Sequence, residues 1–281
     1  MILQQNVGIS FSDPAVVLTA FLPEGGGKRS AILVLPGGGY QVCADAEGAP
    51  VAERFARLGC AAFVLRYSVR STGGAHTVFP EPLRQVAESV KYLRLHASEW
   101  DLDPQRLAIF GASAGGHLAA SYCNGWDTDE VCAGIADTDP EMLCPNACVL
   151  LYCAARPGAD GMLQSAIYGH EAPFSEEEEE LCRVPDNVGP QTPPTVLFHA
   201  ATDPLVPMQD SLELFRALQK QGVPSELHIF GGGLHGNGLG EGTPAEPWPE
   251  LALRFLNTVY DAPEQFDRKQ VRRMQKALFP F

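Results

Sequence analysis

Short uninterrupted apolar runs recur along the chain, separated by stretches whose apolar residues fall at helical spacing. Residues 31–35 (AILVL), 61–67 (AAFVLRY), 107–110 (LAIF), 147–153 (ACVLLYC) and 195–199 (TVLFH) have the length and continuity of buried strands, and 225–230 (SELHIF) reads as the last strand. An earlier strand is predicted within 13–21, closed by Pro23 and the turn Gly25-Gly26-Gly27. Between the runs, 49–58 puts Val51, Ala52, Phe55 and Leu58 on one helical face and stops at Gly59. The segment opened by Pro80-Glu81-Pro82 runs through His96 with Leu83, Val86, Val90 and Leu93 inward. Residues 207–221 repeat the pattern with Leu212, Leu214, Phe215 and Leu218, and 115–123 and 250–260 read as further helices. Strands alternating with helices predict an α/β fold: a mostly parallel central sheet with helices on both faces.

Two stretches stand outside this pattern. Residues 154–194 run about forty residues without a core-forming period and include the acidic run Glu176–Glu180, a solvated helix start or the edge of a lid. We read them as a lid-like insertion within a single domain, 1–281, a size that one α/β domain accommodates. Residues 261–281 form a basic-amphipathic tail, the segment to suspect of packing against a neighbour if the protein is a homo-oligomer.

Composition narrows the partners. Hydrophobic content of 45% and charged content of 19% describe a globular protein, and a net charge of -14 disfavours nucleic acid and anionic membranes. The first residues carry no basic n-region before an apolar stretch, and no run is long enough to cross a membrane, so a cytoplasmic location is expected. The eight cysteines include no CxxC pair. Cys144, Cys148 and Cys153 cluster without completing a zinc-ligand spacing, so reduced thiols and no metal site are expected.

The chemistry sits where strands end. Gly111-Ala112-Ser113-Ala114-Gly115 matches G-x-S-x-G at a strand-to-helix junction, which would put a serine hydroxyl on a strained corner at the top of the sheet. In parallel sheets ligands lie outside the carboxyl ends of the strands, and two more such ends carry Asp203 and His235. A serine hydroxyl needs a base to take its proton, and an imidazole base needs a carboxylate to hold its tautomer. Ser113, Asp203 and His235 could fill those roles, in the chain order Ser…Asp…His. The oxyanion formed on attack needs fixed N–H donors. Ala114 is one candidate, and of the three glycines in Pro36-Gly37-Gly38-Gly39 we favour Gly38 and Gly39. The glycine loop has neither the P-loop lysine nor dinucleotide spacing, so no cofactor is expected. Of the other histidines, His117 reads as a packing or hydrogen-bonding residue of the elbow helix, and His199 and His228 as buried or satisfied strand residues. His76 and His170 lie in loops that could rim a pocket or simply face solvent.

Taken together, PGGGY (36–40), Glu47-Gly48-Ala49-Pro50, FVLRYSV (63–69), FGASAGGHL (110–118), DPLVP (203–207) and LHIFGGGLHG (227–236) resemble the α/β-hydrolase superfamily over about residues 15–260. The finer likeness is to its acetyl esterase and acetylxylan-esterase-like carboxylesterase branch. The resemblance implies an α/β-hydrolase fold, Ser113 as nucleophile, His235 as general acid/base, Asp203 as its orienter, and Gly38, Gly39 and Ala114 as oxyanion hole. It implies a small acyl ester, foremost an acetylated sugar, as substrate. One departure is Pro36, which stands where lipase-type relatives often carry a histidine. Two other readings remain. A prolyl-oligopeptidase-type peptidase would share Gly-x-Ser-x-Gly-Gly, but residues 1–30 leave no room for a propeller domain. A non-catalytic binding protein on the same fold would be expected to have lost one of the three site residues.

Overall fold

The computed structural model describes residues 2–73, 78–132, 135, 138–156, 158 and 161–266. The apolar runs, with one polar edge strand, form an eight-stranded sheet: β1 (Leu3–Asn6), β2 (Val17–Leu22), β3 (Arg29–Leu35), β4 (Ala61–Arg66), β5 (Leu102–Ala112), β6 (Ala147–Leu151), β7 (Thr195–Ala200) and β8 (Ser225–Phe230). Their spatial order is β1-β2-β4-β3-β5-β6-β7-β8. The pairs β1–β2 and β2–β4 are antiparallel, and every other neighbouring pair is parallel. The carboxyl ends of β3, β5, β7 and β8 therefore open on the same edge.

Alternation along each strand divides the core in two. Ile32, Val34, Phe110, Val149 and Phe198 point to one face. That face is covered by Val51 and Phe55 of α1 (Ala49–Arg57) and by Trp248 and Phe255 of the C-terminal helix Trp248–Asp261. Leu33, Leu35, Phe63, Ile109, Leu150 and Leu197 point to the other face. It is covered by α2 (Glu81–Leu95), α3 (Ser113–Gly125) and the helix Met208–Gln221. Each fully buried Leu, Val or Phe contributes about 1.5–3 kcal/mol relative to exposure, so both faces are strongly held. The expected sheet, with helices on both faces, is the observed one.

Three features differ from the sequence reading. β1 was not anticipated: LQQN has no apolar period, is exposed along its length, and forms only the sheet edge. β5 begins at Leu102 rather than Leu107, because its first five residues are mostly polar and pair with β3 only at Arg29, ahead of a register shift. The patternless region after β6 is not without structure. A one-turn α4 (Asp129–Cys132) precedes β6, and α5 (Met162–Tyr168), α6 (Glu176–Cys182) and a 3-10 turn (Val184–Asn187) follow it. The acidic run is a helix start: the Ser175 hydroxyl accepts from the Glu178 N–H, and the Glu178 carboxylate accepts from the Ser175 N–H. Helices α7 (Met208–Gln221) and α8 (Trp248–Asp261) complete the chain, and 267–281 lie outside the described residues. All eight cysteines are free thiols, six of them buried. Among the described residues no helix is long and apolar enough to cross a membrane.

Candidate active site

Ser113 sits at the junction of β5 and α3 with φ 53°, a left-handed conformation that a non-glycine residue adopts only where its surroundings impose it. The corner closes because strand and helix can touch. A Cβ on Gly115 would run into the carbonyl oxygens of Leu35 and Pro36, so only glycine lets α3 pack against the end of β3. The result turns the serine side chain outward at the carboxyl edge of the sheet.

The three separate strand ends converge. His235 Nε2 is 2.8 Å from the Ser113 hydroxyl, and His235 Nδ1 is 2.8 Å from Asp203 Oδ2. An ionised carboxylate can only accept, so Nδ1 carries the proton toward Asp203 and Nε2 is left to accept from the serine. Asp203 is anchored in its turn: Oδ1 accepts from the N–H groups of Leu205 and Val206, both at 2.9 Å. Its side chain is 1% exposed and that of His235 is 10% exposed. Burial alone would raise the Asp203 carboxyl. The His199 imidazole beside it and hydrogen bonds from His235, Val206 and Leu205 outweigh it and hold the group well below the usual carboxylate range.

The glycine loop after β3 faces the same point. Gly38 and Gly39 line a cavity of about 690 Å³ together with Ser113, Ala114 and His235. The Gly37 N–H does not face it, because it donates to Glu47 Oε2 at 2.7 Å. Among the described residues no acceptor takes the N–H of Gly38 or Gly39. Beyond the serine, the cavity wall is apolar along Ala154, Leu163, Val206 and Pro207, with Gln41, Arg156 and Asp210 as polar points. The Arg156 N–H donates to Asp210 Oδ2 at 3.0 Å, and its guanidinium pairs with Glu213.

The remaining histidines behave as structural residues. His117 is buried; Nδ1 meets the Tyr40 hydroxyl and Nε2 the Cys182 carbonyl, both at 2.9 Å. Burial lowers it to about 4, so it is neutral in the native protein. His199 is buried, donates from Nε2 to the Val206 carbonyl and accepts from the Ser211 hydroxyl at Nδ1. Its Nε2 also lies 3.6 Å from Asp203 Oδ2, a second imidazole against the same carboxylate. His228 stacks on Phe198, with ring centroids 5.0 Å apart. His170 is exposed and bonds Glu178 at 2.7 Å, away from the cavity, while His76 lies outside the described residues.

Two site residues went unread in the sequence, Glu47 and Tyr152. Glu47 belongs to the Glu-Gly-Ala-Pro stretch but carried no assigned role, because one acid in a polar segment has no period to betray burial. It is 1% exposed. Tyr152 closes the run after β6, and its ring centroid is 4.7 Å from that of His235.

Comparison with known proteins agrees with the fold. A family described as BD-FAE matches residues 18–135, and the prolyl oligopeptidase family matches residues 162–262. The acetylxylan esterase of Xylanibacter ruminicola is 27% identical over a match covering 81% of this chain and 45% of that protein. The chain spans only 34–45% of the length of the first curated relatives it matches. Among solved structures, an acetyl ester-xyloside bifunctional hydrolase from Caldicellulosiruptor lactoaceticus is 29% identical, with 87% of this chain and 88% of that one covered at a TM-score of 0.76. MGS-M1, an α/β-hydrolase enzyme from a Medee basin deep-sea metagenome library, is 30% identical over 92% of this chain and 98% of its own, at a TM-score of 0.71. With the resemblance read from its motifs borne out by sheet, elbow and relatives alike, this chain belongs to the α/β-hydrolase esterase family.

Proposed function

We propose that the protein is a serine carboxylesterase that removes short acyl groups, acetyl foremost, from carbohydrate esters such as acetylated xylo-oligosaccharides. The observation that carries the reading is the pair of 2.8 Å contacts joining Ser113 and His235, which line one cavity, to the buried Asp203. In the proposed mechanism the Ser113 oxygen attacks the ester carbonyl carbon while His235 Nε2 takes its proton, and Asp203 stabilises the imidazolium. The carbonyl oxygen becomes an oxyanion held by the N–H groups of Gly38, Gly39 and Ala114, each such donor being worth about 2.7–4 kcal/mol. Collapse breaks the bond to the alcohol oxygen, which leaves with the proton from His235, and an acyl-serine remains. Water then attacks the acyl-serine with His235 again as base, releasing the acid and restoring the serine.

The sugar ester rests on the acetylxylan esterase and the acetyl ester-xyloside hydrolase to which the chain is similar. Residues 154–194 would act as a cap over the substrate, since Ala154, Met162 and Leu163 already contribute to the cavity wall.

The test is acetate release from acetylated mono- and xylo-oligosaccharides, with p-nitrophenyl acetate, butyrate and octanoate alongside. Release from the sugars and a preference for acetate are expected; turnover of the p-nitrophenyl esters with none from any sugar would discard the carbohydrate. A peptidase reading draws on the prolyl oligopeptidase match at 162–262. Cleavage of a prolyl p-nitroanilide faster than of any ester would establish it instead.

A further inference from the structure

The loop that carries the oxyanion donors and the loop that carries the histidine come from opposite ends of the chain, yet one buried carboxylate joins them, directly to the first and through Tyr152 to the second. Glu47 lies in a 3-10 turn (Asp45–Glu47) that feeds α1. Its Oε2 accepts from the Gly37 N–H at 2.7 Å, the residue directly before Gly38. Its Oε1 accepts from the Tyr152 hydroxyl at 2.8 Å. That hydroxyl in turn accepts from the Gly238 N–H at 3.0 Å, three residues past His235. The tyrosine ring lies against the His235 ring, and the Gly238 carbonyl is fixed from the other side by the indole N–H of the fully buried Trp248 at 3.1 Å.

Packing around these bonds leaves no slack. A Cβ on Gly37 would lie 2.5 Å from Glu47 Oε2, 2.7 Å from the Ala112 carbonyl and 2.8 Å from Ser113 Cβ, so this backbone is wedged between the carboxylate and the elbow. A Cβ on Gly238 would collide with the Ala46 carbonyl, which brings the histidine loop onto the same turn that holds Glu47. The Ala44 N–H donates to the Gly37 carbonyl at 2.9 Å and closes the glycine loop on that turn.

A buried acid is costly unless donors surround it, and burial does push the Glu47 carboxyl up against the pull of Tyr152 and Gly37. A purely packing role would be met as well by an apolar side chain. A carboxylate can accept from the Gly37 N–H and from the Tyr152 hydroxyl at once.

Resting on the Ser113 reading above, we infer that Glu47 is a positioning residue for the reaction: it sets the oxyanion loop and, through Tyr152, the His235 loop at fixed distances from Ser113. A glutamine here keeps one carbonyl oxygen but turns an NH2 toward the second donor, so one of the two loops loses its anchor. Tyr152→Phe keeps the ring and the Gly37 contact, and severs only the histidine side.

The experiment compares wild type, Ser113→Ala, Glu47→Gln and Tyr152→Phe on p-nitrophenyl acetate and on an alkyl acetate, glycerol triacetate. It adds inhibition by a trifluoromethyl ketone whose adduct oxygen occupies the oxyanion position. Glu47→Gln is expected to lower kcat by about 100-fold on both esters with KM nearly unchanged, and to weaken the ketone in parallel. Tyr152→Phe is expected to cost more on the alkyl acetate, whose alkoxide needs a proton from His235, than on the p-nitrophenyl ester, whose phenolate leaves without one. Ketone inhibition by that variant should stay near wild type. If both variants keep kcat and ketone binding within about twofold of wild type and only Tm falls, Glu47 merely packs and the inference is overturned. Undiminished turnover by Ser113→Ala would instead overturn the site reading beneath it.

Discussion

Asp203 meets His235 through one carboxylate oxygen, Oδ2 to Nδ1 at 2.8 Å, while its other oxygen is already held by two backbone N–H groups of its own turn. The carboxylate cannot swing, so it dictates the histidine tautomer. Asp203→Asn keeps the size but can present an NH2 to Nδ1, which would place the ring proton on Nε2, facing Ser113. The expected result is a kcat on p-nitrophenyl acetate about 10⁴-fold lower with the Tm little changed. Activity near wild type would mean that another group orients His235.

Gly115 tests the elbow itself. Two backbone carbonyls, of Leu35 and Pro36, occupy the place of any Cβ, and neither can move without disturbing β3. Gly115→Ala is expected to destabilise by about 3 kcal/mol, a Tm loss of roughly 10 °C, with the glycine loop 36–39 displaced. A thermal melt within about 2 °C of wild type would show that the strand and helix have room to separate.

His117 gives stability a pH dependence of definite sign. Burial lowers its pKa from the usual 6.5 to about 4 in the native state, so between those values the unfolded chain binds the extra proton. Stability from this group is fully present above about pH 6.5 and is lost as the pH falls toward 4. Its contribution to the loss between pH 7 and pH 4.5 is about 2–3 kcal/mol, and His117→Gln removes that part of the slope. Urea melts of both proteins at the two pH values check it; parallel losses would place the acid sensitivity elsewhere.

Asp210 has the opposite sign. Burial raises its carboxyl to about 6, against hydrogen bonding from Arg156, so the native state holds its proton longer than the unfolded chain does. This group therefore adds stability below about pH 4 that is lost as the pH rises through 6. Asp210→Asn can still accept the Arg156 N–H, and is expected to be more stable than wild type at pH 7.5 by about 1 kcal/mol, with no such gain at pH 4. An equal gain at both values would tie the effect to packing rather than ionisation.

The central strands were readable because both faces of the sheet are covered, so AILVL, LAIF and TVLFH have no polar residue to interrupt them. Ser113, Asp203 and His235 were readable for a related reason: each lies in the turn or loop that follows a strand, β5, β7 and β8. β1 was invisible because an exposed edge strand asks nothing apolar of Leu3–Asn6. Helix α6 buries only Cys182, and α5 buries the polar Gln164 and Ser165 beside Ala166 and Ile167, so two turns of helix leave no legible apolar period. Glu47 and Tyr152 bond across 105 residues of chain, and nothing local to either marks the other. Long-range polar pairs of this kind become visible only once the sheet has brought the loops together.

The most direct test of the account is covalent capture of the nucleophile. The protein is treated with a fluorophosphonate, residual turnover of p-nitrophenyl acetate is followed, and the modified residue is located by peptide mapping. Activity is expected to be lost in step with incorporation of one equivalent of label, all of it on Ser113, and Asp203→Asn to label far more slowly. Label on another residue, or full labelling of Ser113 with turnover intact, would contradict the account.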